Sequence, residues 1–249
     1  MIAKKVIVCD LDGTLTESKS TLSQSMAEVL CQILSKHFLV VISGGTFSQF
    51  QKQFLSQLSC GPELLQNLYL FPTMGGACYT YDLASLNWKE IYNEELSLSE
   101  RKEIVKALNQ AMLESGLDFT SSYGDIIEDR GSQVTFSGRG QQAPIDMKKT
   151  WDPDKSKRRL IIKLLKKKIP QFEINIGGIT SIDITKKGID KAYAISKIKE
   201  LLNVTDDDVI FVGDALYKGG NDAPVKKTDV DFIQQSGPDE TIELLKQYI

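Results

Sequence analysis

Val6-Ile7-Val8-Cys9-Asp10-Leu11-Asp12-Gly13-Thr14-Leu15-Thr16 decides how the chain is read. An apolar, β-branched run ends on Asp10, a second acid follows at Asp12, and Gly13 and Thr14 turn the chain. Such a run predicts a short buried strand with two carboxylates at its carboxyl end. Residues i and i+2 of an extended chain lie on one side, so both acids can face one site. Carboxylates that close repel each other and need a cation or a shared proton between them. The pair suits a nucleophilic carboxylate, an acid/base carboxylate and a hard metal ion. The plainer alternative is a strand followed by an ordinary Asp/Gly turn.

The same pattern recurs outward from this stretch. Phe38–Ile42 is a continuous apolar run ending in Ser43-Gly44-Gly45-Thr46, as expected of a strand buried on both faces. Between the two runs, Thr21-Leu22-Ser23-Gln24 reads as a capping box, with Leu22, Met26, Val29, Leu30 and Ile33 at helical spacing. A helix is predicted from Phe47 to Leu58, a third strand at Leu68–Phe71 and a short one at Ala77–Tyr81. Val209–Val212 is a fourth buried run, ending in Gly213-Asp214. A helix over Asp190–Leu202 precedes it, and a short strand at Asp231–Ile233 and a helix over Asp239–Tyr248 close the chain. Strand, helix, strand and Gly-rich turn predict a doubly wound α/β core with a mainly parallel sheet. Ligands of such folds sit at the carboxyl ends of the strands. That places Asp10, Asp12, Ser43 and Asp214 together at strand ends, with Lys191 at a helix start.

Between Leu83 and Lys187 the pattern changes. Ser97-Leu98-Ser99-Glu100 is a capping box that opens a helix, with Ile104, Leu108 and Met112 four apart and Gly116 to stop it. Ile126–Arg130 with Gln133–Ser137, and Phe172–Ile176 with Ser181–Ile184, read as two hairpins. Asp152-Pro153 is expected to cap a helix running to about Lys168. The layout is an inserted α+β cap with an antiparallel sheet. The expected division is a core of residues 1–83 and 187–249 around a cap of residues 84–186.

Composition bounds the function. The 249 residues are 41% hydrophobic and 25% charged, with a net charge of -3, so no bulk charge draws the chain to nucleic acid or an anionic membrane. The helix from Lys155 to Lys168 is strongly basic, and a solvated face is the simpler reading of it. The single histidine, His37, excludes a His-rich zinc site and argues against a Ser or Cys triad; it reads as a helix-end residue. The four cysteines lack metal spacing. Cys9 and Cys31 read as core thiols in a reducing compartment. No apolar run reaches the roughly 18 residues of a membrane span, and the first strand begins almost at once, leaving no room for a signal peptide. A cytoplasmic protein is expected. Neither a P-loop nor a dinucleotide fingerprint is present.

Four motifs carry a family resemblance. Asp10-Leu11-Asp12-Gly13-Thr14-Leu15-Thr16, Ser43 after an apolar strand, Lys191 in Lys187-Gly188-Ile189-Asp190-Lys191, and Gly213-Asp214 with Asn221-Asp222 resemble, in order, the four signatures of the haloacid-dehalogenase-like superfamily. The cap resembles that of its subgroup with the larger open-sheet cap. Closer still is the similarity to the eukaryotic-type α-phosphomannomutases, carried by Gly219-Gly220-Asn221-Asp222, Leu70-Phe71-Pro72, Ile127-Glu128-Asp129-Arg130 and Gly177-Gly178-Ile179-Thr180-Ser181-Ile182-Asp183.

The resemblance implies Mg²⁺-dependent phosphoryl transfer. Asp10 is the implied nucleophile that becomes an aspartyl phosphate, and Asp12 the acid/base. Asp10, Asp12 through its carbonyl, and Asp214 are the implied metal ligands, with Asp222 in or near the metal shell. Ser43 and Lys191 would hold the phosphoryl oxygens, joined at the substrate by Gly44 and Asn221. Arg130, Arg139, Ser181 and Asp183 match the cap residues that hold the hexose phosphate. The chain departs from the mutases at three places: Lys19 and Tyr123 stand at arginine positions, and Thr73-Met74-Gly75 replaces Glu-Asn-Gly. Lysine is not the equal of a bidentate arginine fork, so the expected activity is a sugar-phosphate phosphatase. A phosphomannomutase-type reaction is the alternative, and a non-catalytic phosphosugar-binding protein the third reading. The expected partner is a small phosphosugar, not nucleic acid or a membrane, and the expected state is a monomer or homodimer.

Overall fold

The computed structural model describes residues 4–18 and 20–249. In chain order its strands are β1 (Val6–Asp10), β2 (Phe38–Ile42), β3 (Leu68–Phe71), β4 (Ala77–Asp82), β5 (Asn87–Asn93), β6 (Ile127–Asp129), β7 (Gln133–Ser137), β8 (Phe172–Ile176), β9 (Ser181–Lys186), β10 (Val209–Gly213) and β11 (Asp231–Gln234). The α-helices are α1 (Gln24–Leu34), α2 (Phe47–Phe50), α3 (Pro62–Leu65), α4 (Leu98–Ser115), α5 (Ile145–Trp151), α6 (Ser156–Lys168), α7 (Lys191–Leu202) and α8 (Pro238–Leu245). The chain divides into two compact units, residues 1–93 with 190–249 and residues 94–189.

The first unit is built on one sheet in the order β11-β10-β1-β2-β3-β4-β5. Its first five members are parallel, and β4 and β5 are antiparallel. Alternation along β1 explains its continuous apolar run. Ile7 and Cys9 join the cluster containing Met26, Leu30 and Ile33 of α1, while Val6 and Val8 join the one containing Ala194, Ile195 and Ile198 of α7. Leu39 and Val41 against Val40 and Ile42 repeat this in β2. A strand with a core on each face needs apolar residues at every position. Each fully buried Val, Ile or Leu contributes roughly 1.5–3 kcal/mol.

In the second unit the sheet runs β6-β7-β9-β8, antiparallel throughout. Here only alternate residues are apolar. Val134, Phe136, Ile174, Ile182 and Ile184 pack with Ile104 and Leu108 of α4 and Ile161 and Leu165 of α6. Thr135 and Ser137 point the other way and pair in register with Asp183 and Ser181. The doubly wound core and the antiparallel α+β unit are the architecture the motifs predict.

Several local expectations differ from the structure. The sheet of the first unit includes β5, so the units part at 93/94 and 189/190 rather than 83/84 and 186/187. The β5 segment, Asn87-Trp88-Lys89-Glu90-Ile91-Tyr92-Asn93, is an edge strand with mostly exposed side chains, and it lacks the apolar run that marks the others. Helix α1 is capped by Ser23, whose hydroxyl accepts the Met26 N–H. The segment after Thr46 is one α-turn continued as a π-helix over Gln51–Leu55, which buries Phe50 and Phe54. The expected helix from Pro153 starts at Ser156, and α5 precedes it.

Two single-residue expectations also change. Cys31 is not a free thiol but is disulfide-bonded to Cys60, with a Cα–Cα distance of 5.5 Å. Disulfides persist in oxidising surroundings, so the cysteines do not support a reducing compartment. His37 does more than end a helix: its Nδ1 faces the Lys4 carbonyl at 2.7 Å and its Nε2 the Tyr248 carbonyl at 2.8 Å. Among the described residues, no helix is long and apolar enough to cross a membrane.

Candidate active site

Strand order decides where the motifs converge. From β1 the chain crosses to β2 on one side, and β10 lies on the other, which makes the carboxyl ends of β1 and β10 the switch point of the sheet. Asp10 ends β1, Asp214 follows β10, and Ser43 follows β2. Carboxylate oxygens of Asp10, Asp214 and Asp222 all lie within 4.8 Å of one another.

Lys191 enters this cluster from the first turn of α7. Asp190 caps that helix, its Oδ1 accepting the Ala192 and Tyr193 N–H groups at 2.9 and 3.1 Å. The cap fixes the direction in which the next side chain leaves the helix. The Lys191 ammonium is fully buried, lies 5.7 Å from the centre of the Phe211 ring, and donates to Asp10 Oδ1 and, at 2.5 Å, to Asp222 Oδ1. The other oxygen of Asp222 accepts the Ala215 N–H at 2.9 Å. Both oxygens of Asp222 are therefore engaged, one by the lysine and one by the turn after β10.

Charge within the cluster is out of balance, with three carboxylates around one ammonium. Burial raises the Asp10 carboxyl well above the usual range, with Asp222 and Asp214 adding to the rise and Lys191 opposing it. Burial and the Asp222 charge push Asp214 up to about 6. The two acids hold Lys191 above its ordinary value in spite of its burial. Asp10 Oδ2 is buried with no hydrogen-bond partner among the described residues. Excess negative charge, hard oxygen donors and an orphaned carboxylate oxygen fit a divalent cation such as Mg²⁺. Gly13 permits the close approach of the first turn to Asp214. Its φ is +94°, and a Cβ there would lie 2.8 Å from Asp214 Oδ2. Cys9, next to the nucleophile candidate, is buried and its thiol is raised far above the ordinary range, which leaves it inert.

The remaining predicted residues lie on several separate elements. Asp12 is half-buried in the turn closed by Gly13 N–H to the Thr16 carbonyl at 2.7 Å. The Ser43 hydroxyl accepts the Gly45 N–H at 3.0 Å, with Gly44 half-buried between them. Asn221 is half-buried beside Asp222. In the second unit, Asp183 Oδ1 accepts from Gln133 Nε2 at 3.0 Å and Thr135 Oγ1 at 2.9 Å, and Ser181 opens the same strand. Arg139 is half-buried, and its carbonyl accepts the Tyr123 N–H at 2.9 Å, so the tyrosine departure sits beside an arginine that remains. Arg130 has a side chain only 5% exposed, with Nε and Nη2 both on Glu128 Oε2 at 3.0 and 2.6 Å. Lys19 lies outside the described residues.

The departure at Thr73-Met74-Gly75 has a backbone role that motif comparison alone does not show. Thr73, Met74 and Gly75 have φ of 51°, 59° and 94°, three successive left-handed residues, two of them non-glycine. Each non-glycine residue held there costs on the order of 1–3 kcal/mol. In return the Met74 N–H reaches the Ser43 carbonyl and the Thr73 N–H the Gly45 carbonyl, both at 2.9 Å. The loop thus buttresses the Ser43 turn, and its only sequence signal is the departure at Thr73-Met74.

Comparison with known proteins agrees with this architecture. The family model described as haloacid dehalogenase-like hydrolase matches residues 7–224. The chain is 28% identical over 255 residues to a phosphomannomutase of Saccharomyces cerevisiae, covering 97% of this chain and 93% of that protein. It is 29% identical over 254 residues to a phosphomannomutase of Schizosaccharomyces pombe, covering 98% and 94%. Among solved structures, a haloacid dehalogenase-like hydrolase from Bacteroides thetaiotaomicron superposes with a TM-score of 0.64 at 20% identity, covering 99% of this chain and all of that one. Plasmodium falciparum IMP-nucleotidase superposes at 0.74 with 15% identity, covering 99% of this chain and 70% of that one.

Proposed function

The chain belongs to the haloacid dehalogenase-like hydrolase family, and on that premise we propose that it is a Mg²⁺-dependent phosphotransferase of the phosphomannomutase type, acting on a hexose phosphate through an aspartyl phosphate at Asp10. The observation that carries this is the likeness to phosphomannomutases across 97–98% of the chain, cap included. It moves the weight from hydrolysis, favoured by the three departures, to the mutase alternative.

The proposed roles follow from the chemistry of the groups. The Asp10 carboxylate attacks phosphorus, with the Lys191 ammonium beside it. Asp12 gives a proton to the leaving oxygen and takes one from the next acceptor. Ser43 and Lys191 hold phosphoryl oxygens, where charge is greatest, with Gly44 and Asn221 beside them. Asp10, Asp214 and the Asp12 carbonyl would hold Mg²⁺, which supplies positive charge to offset phosphate and carboxylate. Asp222 positions Lys191, since both its oxygens are already engaged. Arg130, Arg139, Ser181 and Asp183 are the proposed substrate-binding residues of the second unit.

A specific observation favours hydrolysis as a second reading. Arg130 is nearly buried and neutralised by Glu128, and Tyr123 offers no cation, so the cap's cationic grip on a second phosphate is reduced. One incubation separates the readings. With Mg²⁺ and mannose 1-phosphate, followed by ³¹P NMR, mannose 6-phosphate is the expected product. Accumulating inorganic phosphate means hydrolysis instead, and an unchanged substrate sinks both for this sugar.

The metal assignment has its own pH signature. Asp214 titrates near 6 in the metal-free fold, above its unfolded value, so the stability tied to its proton is present at low pH and lost as pH rises through about 6. Mg²⁺ must displace that proton. Saturating Mg²⁺ is therefore expected to raise the thermal midpoint more at about pH 7.5 than at about pH 5. Equal increments by scanning fluorimetry would remove Asp214 from the metal site.

A further inference from the structure

The basic helix α6 contains one charge that is not on its solvated face. Arg158 is 2% exposed and Asp152, its ion-pair partner, has a fully buried side chain. Nε donates to Asp152 Oδ2 at 2.7 Å, Nη2 to the Asp152 carbonyl at 3.3 Å, and Nη1 to the Gly178 carbonyl at 2.5 Å. The Asp152 carboxylate also accepts the Lys157 and Arg158 N–H groups at 2.9 and 3.2 Å. A buried ion pair seldom adds net stability over an apolar pair of the same volume, and Leu at this position would extend the apolar stripe of Ile161 and Leu165. Its presence calls for a geometric reason.

Its contacts lead to the substrate loops of the same unit. Gly178 lies in the loop between β8 and β9 that leads into Ser181 and Asp183. The backbone there passes so close to Asp183 that a Cβ on Gly177 would lie 2.4 Å from Asp183 Oδ2. The next turn of the loop holds the segment carrying Arg139: the Gly138 N–H donates to the Thr180 carbonyl at 3.1 Å, and the Thr180 and Ser137 hydroxyls meet at 3.1 Å. Trp151, beside Asp152, closes the arrangement, since a Cβ on Gly138 would fall 2.1 Å from its ring. A guanidinium can reach two acceptors on Asp152 and a third on the loop at once; an ammonium is a single point charge.

We propose that Arg158 is a positioning residue: its fork between Asp152 and the Gly178 carbonyl sets the 177–181 and 137–140 loops, and with them the placement of Arg139, Ser181 and Asp183 for a phosphosugar. The proposal rests on the phosphosugar reading above. Misplacement of binding groups by about 1 Å costs up to a hundredfold. Arg158→Lys keeps the charge beside Asp152 and loses the fork. In the full-length enzyme it should raise KM for mannose 1-phosphate about ten- to a hundredfold while leaving kcat/KM for an aryl phosphate unchanged. Amide hydrogen exchange should quicken in residues 137–140 and 177–181 and stay as in the wild type in α4 and in residues 133–136 of β7. Asp152→Asn, which keeps the side-chain shape, should repeat the pattern. Equal kinetic effects on the two substrates, unchanged exchange in the two loops, or exchange rising uniformly through the unit in both variants overturns the proposal. If the wild type converts no mannose 1-phosphate, the reading has failed for this sugar, and the exchange arm alone decides whether Arg158 sets the loops.

Discussion

Replacing Asp10 by Asn is expected to abolish turnover of an aryl phosphate, a loss of roughly 10⁴-fold or more, without lowering the thermal midpoint of the metal-free protein. The two halves of that outcome come from different physics. An amide oxygen is a poor nucleophile toward phosphorus, so the covalent route through this residue closes. The fold, however, gathers three acids around a single lysine. Asp10 is buried, its carboxyl is raised well above the usual range by desolvation, and the charges of Asp222 and Asp214 press in the same direction. An uncharged isostere removes that penalty, and Lys191 retains Asp222 as its partner. Retained stability with lost turnover separates a chemical role from a structural one. Undiminished phosphate release would remove Asp10 as the nucleophile, and release lost together with the fold would leave its part in the chemistry unsupported.

How much of this was legible in the sequence depends on the range of the interaction concerned. β1, β2 and β10 announce themselves because a strand with a core on each face must be apolar at every position, and the residues that break each run, Asp10, Ser43 and Asp214, are those at the switch point. Lys191 is legible because Asp190 is a local cap. Features set by distant partners are not. The Cys31–Cys60 bond joins residues 29 apart with no spacing signature, and His37 is held by carbonyls from residues 4 and 248. β5 carries the composition of a solvated loop and becomes a strand only because β4 offers an edge. Asp152 reads as a cap for a helix at Pro153, yet its carboxylate receives N–H groups five and six residues on and the Arg158 fork. In each case local chemistry suggested an ordinary role, and a tertiary contact assigned another.

Lys191→Met tests the opposite side of the same charge balance and should be the most destabilising single change in the site. The side chain is fully buried and touches two carboxylates. Removing one partner from a buried ion cluster costs about 3–5 kcal/mol, because the remaining charges are left uncompensated. The loss should depend on pH in a direction fixed by the acids. The wild-type lysine is held above its ordinary value, so it keeps its own proton across about pH 5 to 8 and sheds it only at strongly alkaline pH. Without it, the fall it imposes on the Asp10 and Asp214 carboxyls disappears, and their folded-state titrations move further above the unfolded ones. Such groups stabilise the fold when protonated and lose that contribution as pH rises. Urea unfolding should therefore find the variant closest to wild type near pH 5 and furthest from it near pH 8. Adding Asp222→Asn to Lys191→Met should recover part of the loss, since it removes one of the stranded charges; a double variant as unstable as the sum of the singles would show that the pair is not coupled. Aryl-phosphate turnover should stay low in both, because removing a stranded charge does not restore the ammonium proposed to hold the phosphoryl oxygens.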